Sequence, residues 1–398
     1  MSNRPAAEIL SQGNEVVSGQ VVDTNAAWLS QRLQALGFDV VRHTAVGDRL
    51  DDLEAVLLAG AERADLCICT GGLGPTCDDL TSEAVARAFG VPLVLDEVAL
   101  SQIKDRYRQR GLPMPQVNRK QAMLPLGAVR IDNLWGTAPG FRWQHGDHRL
   151  YFLPGVPAEM REMFNHAVEP ELRWRSEPSE DRWRILRTFG AGESLLQEWV
   201  NEVALPETVE LGFCVDYPYV DVKLGFSLAL DIDEIEEMLI QVRLALRGCV
   251  FAQAVGLTKS PGTLAERIDE LMAQTGWSLS VIDAGCGGEL VRQLAATGCF
   301  QEAMAVSTAD QLLRYFGLND LDWPETMQKV AVAFRERTAT DVVLVVARTK
   351  EADHIDLILL TPKGMLRQDR RATGRWQESA AAWVLDVLRR HLMGEGLP

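Results

Sequence analysis

Over its first 90 residues the chain alternates short apolar runs with helix-spaced segments, and this alternation limits the fold more than any other feature. Residues 7–13 (AEILSQG) read as a buried strand ending in Gly13. Residues 24–37 place Ala27, Leu29, Leu33 and Leu36 at helical spacing, with Thr24 or Asn25 as N-cap and Gly37 as stop. A second strand (38–48, FDVVRHTAVGD) and a second helix (50–64) follow, the helix carrying Asp51 and Asp52 in its first turn. The third strand is DLCICTGG, and the third helix is TSEAVARAFG, with Thr81 as N-cap and Gly90 as C-cap. Parallel strands need crossovers, so βαβαβα predicts an α/β, doubly wound sheet with helices on both faces. RLYFLPG, near 150, reads as a further central strand, followed by a helix over 156–172.

In open sheets of this kind ligands sit at the carboxyl ends of strands. Four such loops carry unusual residues. The first has Gly13, Glu15, Gly19, Asp23 and Asn25, and the second has Asp48. The third, TGGLGPTCDD, has Gly71, Gly72, Gly74, Pro75, Asp78 and Asp79 before Thr81. The last, PGVPAE, has Gly155 and Glu159. Glycines let backbone approach a ligand, and a helix start offers free amide donors that suit phosphate. Carboxylates beside a phosphate repel it unless a hard cation lies between, which points to a metal-assisted phosphate or pyrophosphate site. The bland reading stands beside this one: a tight strand–helix turn with acidic residues favoured by the helix dipole. The loop is neither a dinucleotide-binding fingerprint nor a P-loop.

At 398 residues the chain is long enough for two or three domains. A net charge of −16 argues against a general nucleic-acid binder and leaves one small phosphorylated ligand open. Seven cysteines, at 67, 69, 77, 214, 249, 286 and 299, are odd in number and lack zinc-site spacing, which fits a reducing, cytoplasmic setting. No leader-like apolar core opens the chain and no run approaches a membrane span, so no membrane partner is expected. A charged stretch at 171–185 and the segment 256–264 read as linkers. They divide the chain into domains at 1–172, 183–255 (small, α+β) and 260–395 (α/β).

Five ordered motifs, GNEVVSGQVVDTNAAWL, TGGLGPTCDDLT, NRKQAMLP, GTAPGF and LPGVPAEM, make residues 6–170 resemble the N-terminal domain of the competence/damage-inducible CinA family. That domain is similar to the molybdopterin-binding MoaB/MogA fold. The resemblance implies metal-dependent hydrolysis of ADP-ribose to AMP and ribose 5-phosphate, a pyrophosphatase activity. A divalent cation (Mg²⁺, Mn²⁺ or Co²⁺) would be held by Asp48 and Asp79, with Asp78 or Glu15 supporting it or polarising the water. Gly13, Gly71, Gly72, Gly74, Pro75, Thr81, Asn118, Arg119, Lys120 and Gly155 would then contact the nucleotide substrate. The family commonly has Gly-Asp-Glu in the first loop, where this chain has Gly13-Asn14-Glu15. The hydrolase is the leading reading; the first alternative is a molybdopterin- or nucleotide-binding or adenylyl-transfer protein, since the resemblance gives that pathway the same fold and loop, and the second is a non-catalytic scaffold, suggested by Asn14 and by the third segment.

The middle segment, with FGAGES, resembles the family's small KH-like domain, but Glu193 and the acidic helix DIDEIEEM favour a structural or dimerising spacer over nucleic-acid binding. The third segment resembles nicotinamide-nucleotide amidohydrolases, which carry a Glu-Ser-Cys-Thr-Gly-Gly loop with a serine nucleophile. Here the loop is DAGCGG, with Ala284 at the serine position. A methyl group cannot attack an amide, so deamidase activity is expected to be absent. Family resemblance also implies a homodimer.

Overall fold

A computed structural model of the chain describes residues 4–173, 182–227, 229–257, 259–318, 323–348, 354–371 and 376–395. Most of the expected linker at 171–185 lies outside the described residues. The chain forms two compact units, Met1–Asp181 with Gly256–Thr258, and Arg182–Val255 with Lys259–Pro398. No described helix is long and apolar enough to cross a membrane.

In the first unit, β1 (Ala6–Gln12), α1 (Asn14–Val17), α2 (Thr24–Ala35), β2 (Asp39–Val46), α3 (Leu50–Arg63), β3 (Leu66–Thr70) and α4 (Thr81–Ala88) follow the predicted alternation, apart from the short extra turn α1. Then come β4 (Leu93–Leu95), α5 (Glu97–Gln109), a 3-10 turn over Gln116–Ala122, β5 (Met123–Pro125), β6 (Val129–Ile131), β7 (Gly140–His145) and β8 (His148–Leu153). The closing helix runs from α6 (Pro157–Met163) through a π-turn into α7 (Glu169–Arg173). The main sheet has the order β2-β1-β3-β8-β7-β6. Its first four strands are parallel, β7 runs antiparallel to β8, and β6 runs antiparallel to β7.

Both faces of this sheet are covered, which explains why β3 is buried throughout and β1 at every residue but Ala6, rather than in alternation. Ile9 and Ile68 pack with Leu29, Leu33, Met160 and Phe164 on one face. Leu10, Cys67 and Cys69 pack with Leu53, Leu57, Ala84 and Val85 on the other. Each fully buried Leu or Ile contributes about 1.5–3 kcal/mol. Cys67 behaves as a core residue, its thiol pushed up to about 12 by burial. The one charged intrusion in β1, Glu8, is buried against a bidentate Arg63 at 2.8 and 2.9 Å. Two expected caps differ. Asp23, not Thr24 or Asn25, caps α2 by accepting from the Ala26 amide. Thr81 is the first helical residue of α4, not its cap.

The second unit begins with β9 (Trp183–Thr188), α8 (Glu193–Asn201), β10 (Glu210–Asp216), β11 (Tyr219–Gly225), α9 (Ile232–Ala245) and β12 (Val250–Val255). These strands form an antiparallel sheet in the order β10-β11-β9-β12. It continues with α10 (Leu264–Thr275), β13 (Leu279–Ala284), α11 (Glu289–Leu294), β14 (Phe300–Ala305), α12 (Ala309–Tyr315), α13 (Trp323–Thr338), β15 (Val342–Arg348), β16 (His354–Thr361), β17 (Gly364–Arg371) and α14 (Trp376–Met393). The second sheet runs β14-β13-β15-β16-β17.

The expected modules 183–255 and 260–395 each keep an apolar cluster of their own, Leu186, Leu196, Val222 and Leu239 in the first and Ile282, Val330, Val343 and Ile358 in the second, and a further cluster joins them. Phe189, Tyr219 and Phe251 of the first sheet pack in the same apolar cluster as Leu264, Ile268, Leu385 and Leu388. Arg389 of α14 is 1% exposed, bonds Asp386 at 2.8 Å, and donates to the Gly248 carbonyl at 2.8 Å. A stretch rich in Gly and Pro marks the boundary in sequence, and no local pattern reports the packing across it.

Candidate functional site

The strand order β2-β1-β3 puts the topological switch point of the first unit between β1 and β3. A cleft of about 450 Å³ opens there, within the range of small-molecule sites. It is lined by Gln12, Gly13, Glu15, Asp48, Gly71, Gly72, Gly74, Pro75, Asp78, Asp79, Gly155 and Glu159, with Leu73, Gln121, Thr137, Ala138, Pro154 and Val156. Asp48 and Asp79, expected from separate loops, therefore share one cleft.

Glycine is required where β3 leaves the sheet. Gly71 and Gly72 have φ of 105° and 65°. A Cβ on Gly71 would lie 2.3 Å from the Gln12 carbonyl oxygen, and one on Gly72 would lie 2.3 Å from the Gln12 side-chain amide. The exits of β1 and β3 can thus touch only with bare backbone at these positions.

Gln12 organises the floor. Its Nε2 donates to Asp48 Oδ1 at 3.0 Å, and its Oε1 meets the Thr81 hydroxyl, whose oxygen is also 2.9 Å from the Gly71 carbonyl. The other Asp48 oxygen accepts the Asn14 amide at 2.9 Å, and Asn14 Oδ1 accepts the Asp48 amide at 3.2 Å. Asn14 therefore does the acceptor's work at this position, without the charge. Asp79 turns inward: Oδ1 accepts from the Gly74 amide at 2.7 Å, and Oδ2 accepts from the Thr76 amide at 2.8 Å and from the Thr76 hydroxyl. It staples the loop shut on itself. Asp78 stays exposed. The Thr76 hydroxyl and the backbone amide hold its carboxyl below the usual range, and Lys120 adds to this.

The expected metal role of Asp48 and Asp79 meets a specific obstacle. Both carboxylates already accept N–H donors through both oxygens. Among the described residues no group of three or more His, Cys, Asp or Glu side chains is placed to hold a cation. A cation at Asp48 and Asp79 would need further oxygen donors from outside the protein, such as a ligand's phosphates and water.

Four expected contacts lie off the cleft lining, the first being Thr81, which is buried against Gln12 and Gly71. Asn118 is buried and donates to Gln121 Oε1 at 2.9 Å, so it bears on the cleft only through Gln121. Arg119 is exposed and does not line the cleft. Lys120 reaches instead to the Thr76 carbonyl at 2.6 Å, bracing the loop from outside. Gln12 was not among the expected site residues, and Glu159, noted in its loop, had no role assigned. Gln12 gave no signal, because a glutamine ending a strand reads as a solvated residue. Glu159 accepts from Asn133 Nδ2 at 2.8 Å, and its carboxylate passes where a Cβ on Gly136 would lie, 1.8 Å from Oε2. The GTAPGF stretch was the available clue.

In the second unit the loop after β13 offers no nucleophile. Ala284 is buried among Ile282, Leu312, Met327 and Phe334. Asp283, fully buried, accepts from the amides of Gly285 (3.2 Å), Cys286 (2.6 Å) and Gly288 (3.0 Å). Burial pushes its carboxyl up, against the pull of those amides. Cys286 is also fully buried, and burial pushes its thiol well up, so the reactive thiolate is not available.

Residues 8–174 match the family described as "Probable molybdopterin binding domain". A CinA-like protein of Shewanella denitrificans is 32% identical over 98% of this chain and 96% of its own length. A Shewanella oneidensis relative named nicotinamide-nucleotide amidohydrolase PncC is 30% identical over the same shares. The CinA structure from Thermoplasma acidophilum covers 43% of this chain and 99% of its own, at 38% identity and a TM-score of 0.40. These relatives correct the ADP-ribose pyrophosphatase expectation. The activity carried in a relative's name is hydrolysis of a nicotinamide nucleotide's amide, not cleavage of a pyrophosphate. The first unit is a domain of the molybdopterin-binding type, and the chain as a whole belongs to the CinA-like protein family.

Proposed function

We propose that the first unit binds a phosphorylated pterin or nucleotide in the cleft between β1 and β3, and that the second unit is not a working amidase. The observation that carries the first half is the glycine-bared contact of Gly71 and Gly72 on Gln12, opening at the sheet's switch point in a domain of the molybdopterin-binding type. The second half rests on the apolar surroundings of Ala284 and the buried, protonated Cys286.

The charged residues lining the cleft are Glu15, Asp48, Asp78, Asp79 and Glu159, all acidic. A bare phosphate would be repelled. The ligand's phosphates therefore bring a divalent cation with them, and cation and ligand bind together rather than in sequence.

Calorimetry with AMP, GMP and a phosphorylated pterin, with and without Mg²⁺, tests this. Saturable binding that needs Mg²⁺ and is lost in Gly72→Val is the expected result. Failure of every pterin and nucleotide to bind in either condition would sink the reading. Ammonia should not be released from nicotinamide mononucleotide, and its release at an enzymatic rate would overturn the second half.

A further inference from the structure

Away from the cleft, a groove of about 1030 Å³ runs along α9 in the second unit. α9 buries Ile235, Leu239 and Val242 against its sheet. Its opposite face should be polar. Instead Ile240 and Leu244 stand 54% and 69% exposed, and with Met238 and Leu205 they line the groove. Contiguous apolar surface of this kind, rimmed by polar groups, marks a docking face.

The rim selects the occupant. Glu202, Glu234 and Glu237 line the groove, and among the lining residues the only cation is Arg247. Arg247 is already engaged, 3.5 Å from Glu202 Oε1 and 4.7 Å above the Trp199 ring. The groove is thus apolar with an acidic edge. That edge repels nucleic acid and anionic membrane. A second copy is disfavoured too, because a twofold contact would lay the same carboxylates against each other in a chain of net charge −16. A basic amphipathic helix satisfies both features, with apolar side chains on Leu244 and Met238 and Lys or Arg side chains beside Glu234 and Glu237.

We propose that this groove docks a basic amphipathic helix of another protein. The probe is a fluorescent Leu/Lys amphipathic peptide of about five helical turns, titrated with the full chain. Saturable binding that weakens with added salt is expected. Leu244→Asp should weaken it about tenfold or more, although this variant is more acidic than the parent. Leu244 is mostly exposed, so the variant keeps its fold. Glu237→Lys should weaken binding several-fold, with an unchanged unfolding midpoint. Unchanged or tighter binding by Leu244→Asp would show attraction by bulk charge and overturn the proposal. So would absence of binding at low salt, or self-association in sedimentation that Leu244→Asp abolishes.

Discussion

The chain contains two strand–glycine–helix turns with the same ingredients and opposite outcomes. After β3, Gly71 and Gly72 pass Gln12, and the stapling carboxylate, Asp79, comes from the far end of the loop. After β13, the carboxylate comes from the strand itself, and Asp283 takes up the amides of Gly285, Cys286 and Gly288. In the first case the staple ties Gly74 and Thr76, and the strand exit stays open to a cleft. In the second, the ring of amides that would receive a ligand's negative charge is filled by the protein's own anion. The position of one acidic residue, not the number of glycines, separates an open site from a plugged one.

The sharpest way to break this comparison is to unplug the second loop. Asp283→Ala leaves three amides in a buried turn without an acceptor and should cost about 3 kcal/mol in urea unfolding of the full chain. The conservative Asp283→Asn reads the charge separately. Burial raises the Asp283 carboxyl above its ordinary value of 3.8, so the folded chain keeps that proton longer than the unfolded chain does. Stability from this group is present below that ordinary value and is lost as pH rises through the raised one. Asp283→Asn should therefore gain relative to the parent across that acidic window. A constant difference would mean that Asp283 is not the buried acid.

Next in size is Ala284→Ser, which restores the nucleophile that the amidohydrolase resemblance calls for. Its hydroxyl would enter the cluster of Ile282, Leu312 and Met327, costing about 1–3 kcal/mol without creating an attacking group. Ammonia from nicotinamide mononucleotide in this variant would show that the loop is less closed than its packing indicates. Asp79→Ala, the matching change in the open loop, should cost only about 1–2 kcal/mol, since water can reach the freed Gly74 and Thr76 amides. It should still weaken ligand binding, by loosening the cleft wall, in the same calorimetric titration.

Much of the first unit was legible because its sheet is covered on both faces. Continuous apolar strands such as LCICT, helices at regular spacing and glycine stops record burial directly in sequence. The converging loops followed from topology. What stayed hidden was orientation. Asp48 and Asp79 line one cleft, yet nothing in their spacing says that their lone pairs face backbone amides. Gln12 was invisible because its importance comes from a neighbour 59 residues away, Gly71, pressing on its carbonyl. The packing across the boundary near 260 stayed hidden for the same reason, since the contact of Arg389 with the Gly248 carbonyl joins residues 141 apart. Contacts made by orientation and long sequence separation leave no periodicity to read.

The smallest test concerns Lys120, which was expected to touch substrate and instead donates to the Thr76 carbonyl. Lys120→Ala removes one bond at an exposed loop, so global stability should change by no more than about 0.5 kcal/mol. Lys120 also helps hold the Asp78 carboxyl below its usual range. A brace and a ligand contact then give different signatures. If Lys120 only braces the loop, the variant and Asp79→Ala weaken ligand binding by the same route, and the double variant loses less than the sum of the two. If Lys120 instead reaches a bound phosphate, the losses add, and added salt erases the Lys120 part alone. Additive losses would mean that the open loop keeps its cation for the ligand, and that the two turns differ in available charge as well as in closure.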